Sequence, residues 1–372
     1  MIEVKEVKSE KELNDFVKFP FKLYKGNEYW VPPIINDELK SFNPNQDIFK
    51  TVEAKYFLAY KNNEIVGRVV AIINWTEVNE LKKNKARFGW LEMIDDIEVT
   101  KALLDKVIAF GKEHKVEYIE GPMGFSNMDK AGMLTEGFDY TATMIGFYNF
   151  DYYAKHLNQL GYKPEAEWIE YFMKIQKITE TIDMTKISAL IEKRYKVRSL
   201  EFKSIKDVLP YVDEMFGLLN KSYTDLQSFV PIQQFQIDHY KEKYLNFIHP
   251  DFISCVVDEN GKIIAFGITM PSFSKAFQKA NGKLLPFGWF HLLKAMRKND
   301  HVEFYLIGVD PKFQNKGITA LIFRDLHVNF KKRGIKTVET NPLLIENNKI
   351  QQLWQQFNPI THKERKTFRL DI

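Results

Sequence analysis

"GVDPKFQNKGITALIF", Gly308–Phe323, runs from the end of a β-rich segment through a short polar loop into residues with helical spacing. A strand that feeds a helix in this way exposes the free N–H groups of the first helical turn at the positive end of the helix dipole. Such a terminus suits an anion. Gln314, Asn315, Lys316, Gly317, Ile318 and Thr319 fit that use: Gly317 lets the backbone come close to a phosphate, Lys316 supplies charge, and Thr319 is small. No second glycine stands ahead of a Gly-Lys-Ser/Thr ending and there is no GxGxxG, so the loop is neither a Walker loop nor a dinucleotide fingerprint. Spacing alone also allows a plain turn that starts a helix.

What surrounds the loop occurs twice. Residues 56–73, "YFLAYKNNEIVGRVVAII", are two β-rich runs joined by a polar turn at Asn62 and Asn63, and residues 252–270, "FISCVVDENGKIIAFGITM", repeat the plan with the turn at Asn260 and Gly261. The first hairpin is followed by "WLEMIDDIEV", "KALLDKVIAFGKEH" and "VEYIEGPM". The second is followed by "VEFYLIGVD", "GITALIFRDLHVNFKKR" and "KTVETNPL". Leu103, Leu104, Val107 and Ile108 in one half, and Leu321, Ile322, Leu326 and Phe330 in the other, recur at helical spacing. Each half then ends in an amphipathic helix and a β-rich run, "YYAKHLNQLGYKPEAEWIEYFMKI" and "NKIQQLWQQFNPITHKERKTFRLDI". Self-similarity at this period predicts a tandem duplication of one α/β unit. Apolar density falls across "IQKITETIDMT", Ile175–Thr185, which predicts a linker there and domains of 1–178 and 179–372. Ser9 with Glu12 forms a capping box, and "PYVDEMFGLLNKSY" and "QFQIDHYKEKYLNFI" are further helices.

Composition agrees with two domains. A chain of 372 residues is long for a single core, and 45% hydrophobic with 27% charged residues is ordinary for a globular protein. The net charge of +4 is too mild for a dedicated nucleic-acid binder and suits a phosphorylated small ligand. The single cysteine, Cys255, lies in the apolar run "FISCVV" and has no intramolecular partner. The N-terminus is charged throughout and no window approaches 18 uncharged apolar residues, so the expected location is the cytoplasm. None of the eight histidines forms HxH or HExxH, and no G-x-S-x-G is present, so neither a metal site nor a serine nucleophile is expected. His239, His249 and His301 read as surface or capping residues, and "KKR", Lys331–Arg333, as the cationic end of a helix before Gly334.

The loop resembles the acyl-CoA-binding motif of the GNAT superfamily of N-acyltransferases, Gln/Arg-x-x-Gly-x-Gly/Ala, as Gln314-x-x-Gly317-x-Thr319, with threonine in the last place. "NNKIQQLWQQF" is similar to the family's Asn-x-x-Ala-x-x-Leu-Tyr segment at Asn347, Ile350, Leu353 and Trp354. The resemblance covers nearly the whole chain and implies two tandem GNAT-like domains of mixed α/β sheet. It is carried by motifs in the second half and by element order in the first. It also implies acetyl-CoA or a longer acyl-CoA as co-substrate and no metal. The first half has "DDIEVTKALL" in place of the loop, where Asp95, Asp96 and Glu98 would repel a pyrophosphate. Only the second half is therefore expected to bind the acyl donor, the first being structural or shaping the acceptor site.

Acyl transfer from a thioester to an amine needs a neutral amine, a polarised carbonyl and a proton for the thiolate. Glu303 stands eleven residues before Gln314, the spacing of the strand glutamate that serves as general base in one GNAT branch. Strand alternation puts it on one side with Tyr305, Ile307 and Val309, where apolar neighbours would raise its pKa; the alternative is an edge glutamate facing solvent. The Ile307 N–H is the candidate to polarise the thioester carbonyl, and the Ile307 and Val309 backbone to pair with pantetheine. Trp354 occupies the place of the family's tyrosine acid, and an indole N–H can donate a hydrogen bond but not a proton. Coenzyme A then leaves as a thiolate, or Tyr305 substitutes, or the protein is a non-catalytic acyl-CoA sensor.

Two segments bear on the acceptor, a small-molecule amine or a lipid amine. "LPFGWFHLLKAMRK", Leu285–Lys298, mixes aromatic and basic residues, as a membrane-surface or acyl-entrance segment would, or a core-facing helix with a solvated basic edge. "EGPMGFSNMDKAGMLTEGFDYTATMIGFYNF", Glu120–Phe150, is a long glycine- and methionine-rich insertion of the kind that carries substrate contacts. Thirty phenylalanines leave apolar material for a chain-binding tunnel or simply for a larger core.

Overall fold

The computed structural model describes residues 1–126, 129–175, 184–223, 230–244 and 248–372. The first half begins with β1 (Ile2–Glu6), α1 (Glu10–Leu23) and α2 (Ile35–Ser41), followed by β2 (Val52–Lys61), β3 (Glu64–Asn74) and β4 (Lys85–Met93). It continues with α3 (Ile97–Glu113), β5 (Tyr118–Gly121), β6 (Met133–Glu136), α4 (Tyr152–Gln159) and β7 (Lys163–Lys174). The second half has α5 (Met184–Tyr195), β8 (Arg198–Ser199), α6 (Val212–Tyr223), α7 (Gln234–Tyr244), β9 (Ile253–Val257) and β10 (Ile263–Pro271). After an inserted helical pair, α8 (Ser274–Ala280) and α9 (Gly288–Arg297), come β11 (His301–Val309), α10 (Thr319–Arg333), β12 (Thr337–Thr340), β13 (Leu343–Leu344), α11 (Asn348–Gln355) and β14 (Ile360–Asp371).

Local chemistry accounts for the element ends. Ser9 Oγ accepts from the Glu12 N–H at 3.3 Å while Glu12 Oε2 accepts from the Ser9 N–H at 2.9 Å, closing the capping box. Asn62 and Asn63 both have positive φ, 52° and 63°, as a two-residue hairpin turn requires. α3 buries Leu103, Leu104, Val107 and Phe110 against the first half's strands, and α10 buries Leu321, Ile322, Leu326 and Phe330 against the second's. Each such side chain contributes about 1.5–3 kcal/mol.

The strands form one sheet in the order β1-β2-β3-β4-β5-β14-β7-β12-β11-β10-β9-β8, with β6 on β14 and β13 on β7. Parallel pairing occurs at β4/β5 and at β11/β12. Read outward from the central β14/β7 pair, the two sides repeat the same order. The duplication legible in the sequence is thus present in the topology, with one difference. The final strand of each half lies in the other half's sheet: β14 pairs with β5 through Phe368↔Gly121, and β7 pairs with β12 through Thr337↔Lys174. A period of two specifies a strand but not its partner, so sequence order alone does not show this exchange. Of the expected linker only Ile175, Met184 and Thr185 are described; residues 176–183, with the division at 178/179, lie outside the described residues.

Candidate active site

β11 and β12 run in parallel register from His301↔Thr337 to Phe304↔Thr340 and then part, because β13 pairs with β7 instead through Leu343↔Ile169 and Leu344↔Trp168. Asn341 holds the fork. Its N–H donates to Phe304 O at 3.1 Å and its Nδ2 to Tyr305 O at 3.0 Å. On the other side of β11 the register with β10 slips by one residue at Tyr305, a bulge that bends the strand away. The Ile307 carbonyl accepts from Tyr223 Oη at 3.1 Å, and the Val309 carbonyl from Ser222 Oγ at 2.9 Å and Gln314 Nε2 at 3.2 Å. These carbonyls therefore point away from β10, and the N–H of each residue lies on the same side of the strand as its C=O.

The fork opens onto a cavity of about 330 Å³. Residues 304–307 of β11 form one wall, Phe216 and Leu219 of α6 another, and Trp354 of α11 and Trp168 of β7 close it. Met123, Ser126, Asp129, Ala131 and Ile145 come from the glycine- and methionine-rich segment after β5, so both halves build the lining. Two polar atoms at the wall, Trp354 Nε1 and Asn341 Oδ1, are buried without a hydrogen-bond partner among the described residues. Buried polar atoms are almost always partnered, so these two are candidates for contact with a ligand.

Glu303 is buried, 1% exposed, directly behind this wall. Tyr305, which does line the cavity, donates its hydroxyl to Glu303 Oε2 at 3.0 Å, and Ser274 Oγ stands 3.5 Å from Oε1. The neighbours are thus hydroxyls and a second carboxylate, rather than the apolar residues that strand alternation suggests. That carboxylate is Glu339, its register partner on β12. Glu339 accepts from Lys363 Nζ at 2.5 Å and is bonded to His362 Nε2 at 2.9 Å and His301 Nε2 at 3.3 Å. Burial opposes its ionisation, but Lys363 and the two histidines hold it well below the usual carboxylate range. Burial, and then the charge of Glu339, push the Glu303 carboxyl up to about 7.

Glu170, Glu339 and His362 are grouped closely enough to resemble metal ligands. Lys363 and Arg365, which pairs with Glu170, already supply the cations there. His301 is therefore a member of the site rather than a surface residue, whereas His249 caps a short turn by accepting from the Asp251 N–H at 3.2 Å.

The loop sits at the far end of β11. Asp310 accepts from the Lys312 N–H at 2.9 Å and from Lys221 Nζ at 2.7 Å, and Asn315 and Gly317 take positive φ of 61° and 74°. Ile318 precedes α10 without a side-chain cap, so no side chain takes the place of an anion there. Gly317 is exposed, and an added Cβ would lie 3.0 Å from Ile191 Cδ1. Lys316 is exposed with its Nζ over the rings of Phe313 and Tyr195, and half-buried Thr319 begins the helix. Gln314 accepts from Lys349 Nζ at 2.7 Å, and Asn347 caps α11 by accepting from the Ile350 N–H at 3.3 Å. The side chains of Gln314 and Asn347 are thus engaged in tying the loop and α11 in place.

The first half lacks both features. There Asp96 caps α3 directly, accepting from the Glu98 N–H at 3.0 Å and pairing with Lys61 at 2.8 Å, so a carboxylate occupies the helix end. The register Arg87↔Glu120 on β4/β5 corresponds to Glu303↔Glu339 on β11/β12. Arg87 is fully buried and paired with Glu77 at 2.7 Å.

No family model matches the chain. Among solved structures, a tandem GNAT protein from the clavulanic acid biosynthesis pathway superposes over 100% of this chain and 98% of its own, with a TM-score of 0.57 at 9% identity. The fold is that of a tandem GNAT protein. A GCN5-related N-acetyltransferase from Sphaerobacter thermophilus gives a TM-score of 0.53 at 8% identity, over 100% of this chain and 95% of its own. By sequence, the chain is 25% identical to protein YghO of Escherichia coli (strain K12) over 370 residues, 97% of this chain and 93% of that one. It is also 25% identical to a bacterial ceramide synthase of Caulobacter vibrioides over 321 residues, 83% and 80% of the two chains.

Sequence reasoning passed over Glu339, Asn341, Tyr223 and Ser274. Glu339 carried a signal, since "VEYIEGPM" and "KTVETNPL" each place a glutamate before the strand end. Asn341 and Tyr223 act through the fork and the cavity, and Ser274 through its contact with Glu303, none of which a local pattern shows.

Proposed function

We propose that this protein is an acyl-CoA-dependent N-acyltransferase, with residues 179–372 binding the thioester and residues 1–178 shaping the acceptor side. The observation that carries this reading is Glu303, a buried carboxyl pushed to about 7 and hydrogen-bonded to a tyrosine on the cavity wall. A base of that affinity is matched to removing a proton near neutral pH. The amine nitrogen attacks the thioester carbon in a ternary complex, and no cysteine lines the cavity to form an acyl-enzyme. The amine proton passes through the Tyr305 hydroxyl to Glu303, the Ile307 N–H stabilises the oxyanion, and the C–S bond breaks. Trp354 Nε1 donates a hydrogen bond to the departing thiolate, which takes its proton afterwards. Asn315, Lys316, Gly317, Ile318 and Thr319 hold the pyrophosphate against the start of α10, with Gln314 and Asn347 positioning that loop. The Val309 backbone faces the pantetheine.

The apolar cavity and the similarity to a ceramide synthase support a long-chain acyl donor and a lipid amine acceptor over acetyl-CoA and a small amine. The same reading includes contact of residues 285–298 with a membrane surface and a cytoplasmic location. Trp354, in place of a tyrosine acid, favours a second reading, an acyl-CoA sensor without turnover.

Calorimetric titration with acetyl-CoA and palmitoyl-CoA tests the donor. Tight palmitoyl-CoA binding, lost by at least about tenfold in Gly317→Glu, is expected from a phosphate cradle with a chain cavity. Failure of both thioesters to bind removes the proposal. Turnover with long-chain amines that disappears in Glu303→Gln while affinity stays identifies the enzyme; affinity without turnover in the wild type identifies the sensor.

A further inference from the structure

The α8–α9 pair is inserted between β10 and β11, and α9 ends six residues before Glu303. It is fastened to the first half: Gln278 Nε2 donates to Glu28 O at 2.7 Å and Trp30 O at 3.1 Å, Ser274 Oγ to Ala142 O at 2.8 Å, and the Ile35 N–H to Gly282 O at 2.9 Å. α9 turns Leu292, Ala295 and Met296 inward against the second half's core. Its outer side is not that of a solvated helix. Leu285 and Phe287 are 77% and 74% exposed, and Trp289, Phe290 and Leu293 are exposed beside them. Five of the thirteen exposed large apolar side chains among the described residues fall in these nine positions, so this is a patch rather than scatter.

Charge tells what the patch meets. Lys275, Lys279, Lys283, Lys294, Arg297 and Lys298 are all exposed, and no acidic residue occurs from Pro271 to Asn299. None of these six cations forms an ion pair among the described residues. Large apolar rings bordered by unneutralised cations match the boundary between acyl chains and phosphate headgroups, where rings sit among the chains and lysines reach the phosphates. A second copy of the chain fits poorly, because a two-fold contact would bring the same cations face to face.

We propose that residues 283–298 dock the protein on an anionic phospholipid bilayer, with Phe287, Trp289 and Phe290 in the headgroup layer. Docking would keep the start of β11, which follows α9 directly, close to a surface that carries lipid amines. This function for the patch rests on the reading of the acceptor as a lipid amine; the docking itself does not require catalysis.

The test is sedimentation of the full chain with unilamellar vesicles of phosphatidylcholine alone and of phosphatidylcholine mixed with phosphatidylglycerol. Binding to the mixed vesicles, weakened about tenfold or more by Lys294→Glu with Arg297→Glu and likewise by Phe287→Ser with Phe290→Ser, is expected. Both double variants keep the wild-type melting temperature, since all four side chains are exposed. Transfer to an amine presented in detergent is unchanged in them. Equal binding to both vesicle types, binding indifferent to the variants, or none at all overturns the docking. So does a lipid-free dimer that Phe287→Ser with Phe290→Ser dissociates, which would assign the patch to a second copy. Absence of transfer to any amine in detergent would overturn the acyltransferase reading instead and leave the vesicle result standing.

Discussion

Glu303 and Glu339 lie side by side on neighbouring strands, and two carboxylates so placed do not both ionise easily. Lys363, His301 and His362 all bond Glu339 and hold its carboxyl low, whereas Glu303 is bonded by the Tyr305 hydroxyl and is raised by burial and by the Glu339 charge. Its carboxyl, at about 7 in the folded protein, is above its ordinary value. The native state then binds more protons than the unfolded chain between about 4.5 and 7, and stability from this group falls as pH rises through that window. Under the proposed mechanism activity moves the opposite way, because a general base works deprotonated. kcat/KM is expected to rise through an acidic limb near pH 7, where the Glu303 carboxyl gives up its proton. Glu339→Gln removes the adjacent charge and moves that limb to lower pH, while destabilising the fold by about 3 kcal/mol as buried Lys363 loses the nearer of its two carboxylates and keeps Glu170 at 3.6 Å. A limb that stays in place in Glu339→Gln, in a pH–rate profile of the folded variant, would refute the coupling.

At the scale of elements, the two halves differ in the connection that leads from strand to helix. Three residues, 94–96, separate β4 from α3, against nine, 310–318, between β11 and α10. The longer connection leaves the start of α10 uncapped by a side chain, and the shorter one supplies Asp96 as the cap of α3. The cavity beyond the fork owes its apolar wall to α6, whose Leu219 is buried and lines it. Leu219→Trp fills part of that space. Palmitoyl-CoA binding should weaken at least about tenfold while acetyl-CoA binding changes little. Equal losses for both thioesters would place the chain elsewhere.

In the whole molecule, the exchange of β7 and β14 makes each half's sheet depend on the other. Arg365 of β14 pairs with Glu170 of β7, both fully buried, and Lys363 reaches across to Glu339 of β12. A central seam of this kind predicts one unfolding transition for the two α/β units, seen at the same midpoint by calorimetry and by tryptophan fluorescence. Two separated transitions would show that the halves are energetically independent despite the exchange. Deletion of residues 360–372 takes a strand from the middle of the sheet and should abolish cooperative melting altogether.

The sequence by itself determined the element order, the duplication and the loop that joins β11 to α10, because turn chemistry, helical and strand periodicity and a short motif are all local. It also placed Glu303 and Tyr305 on one strand. It did not show that Glu339 stands beside Glu303, that Asn341 props the fork, or that residues of the first half line a cavity in the second. Pairing partners are chosen by contacts between residues far apart in the chain, and periodicity is silent about them. The outward face of α9 was undecided for the same reason: an amphipathic pattern names two faces, and only packing of Leu292 and Met296 against the core settled which side was left to the solvent. A raised carboxyl pKa likewise depends on burial and on a neighbour contributed by another strand, which only the tertiary structure decided.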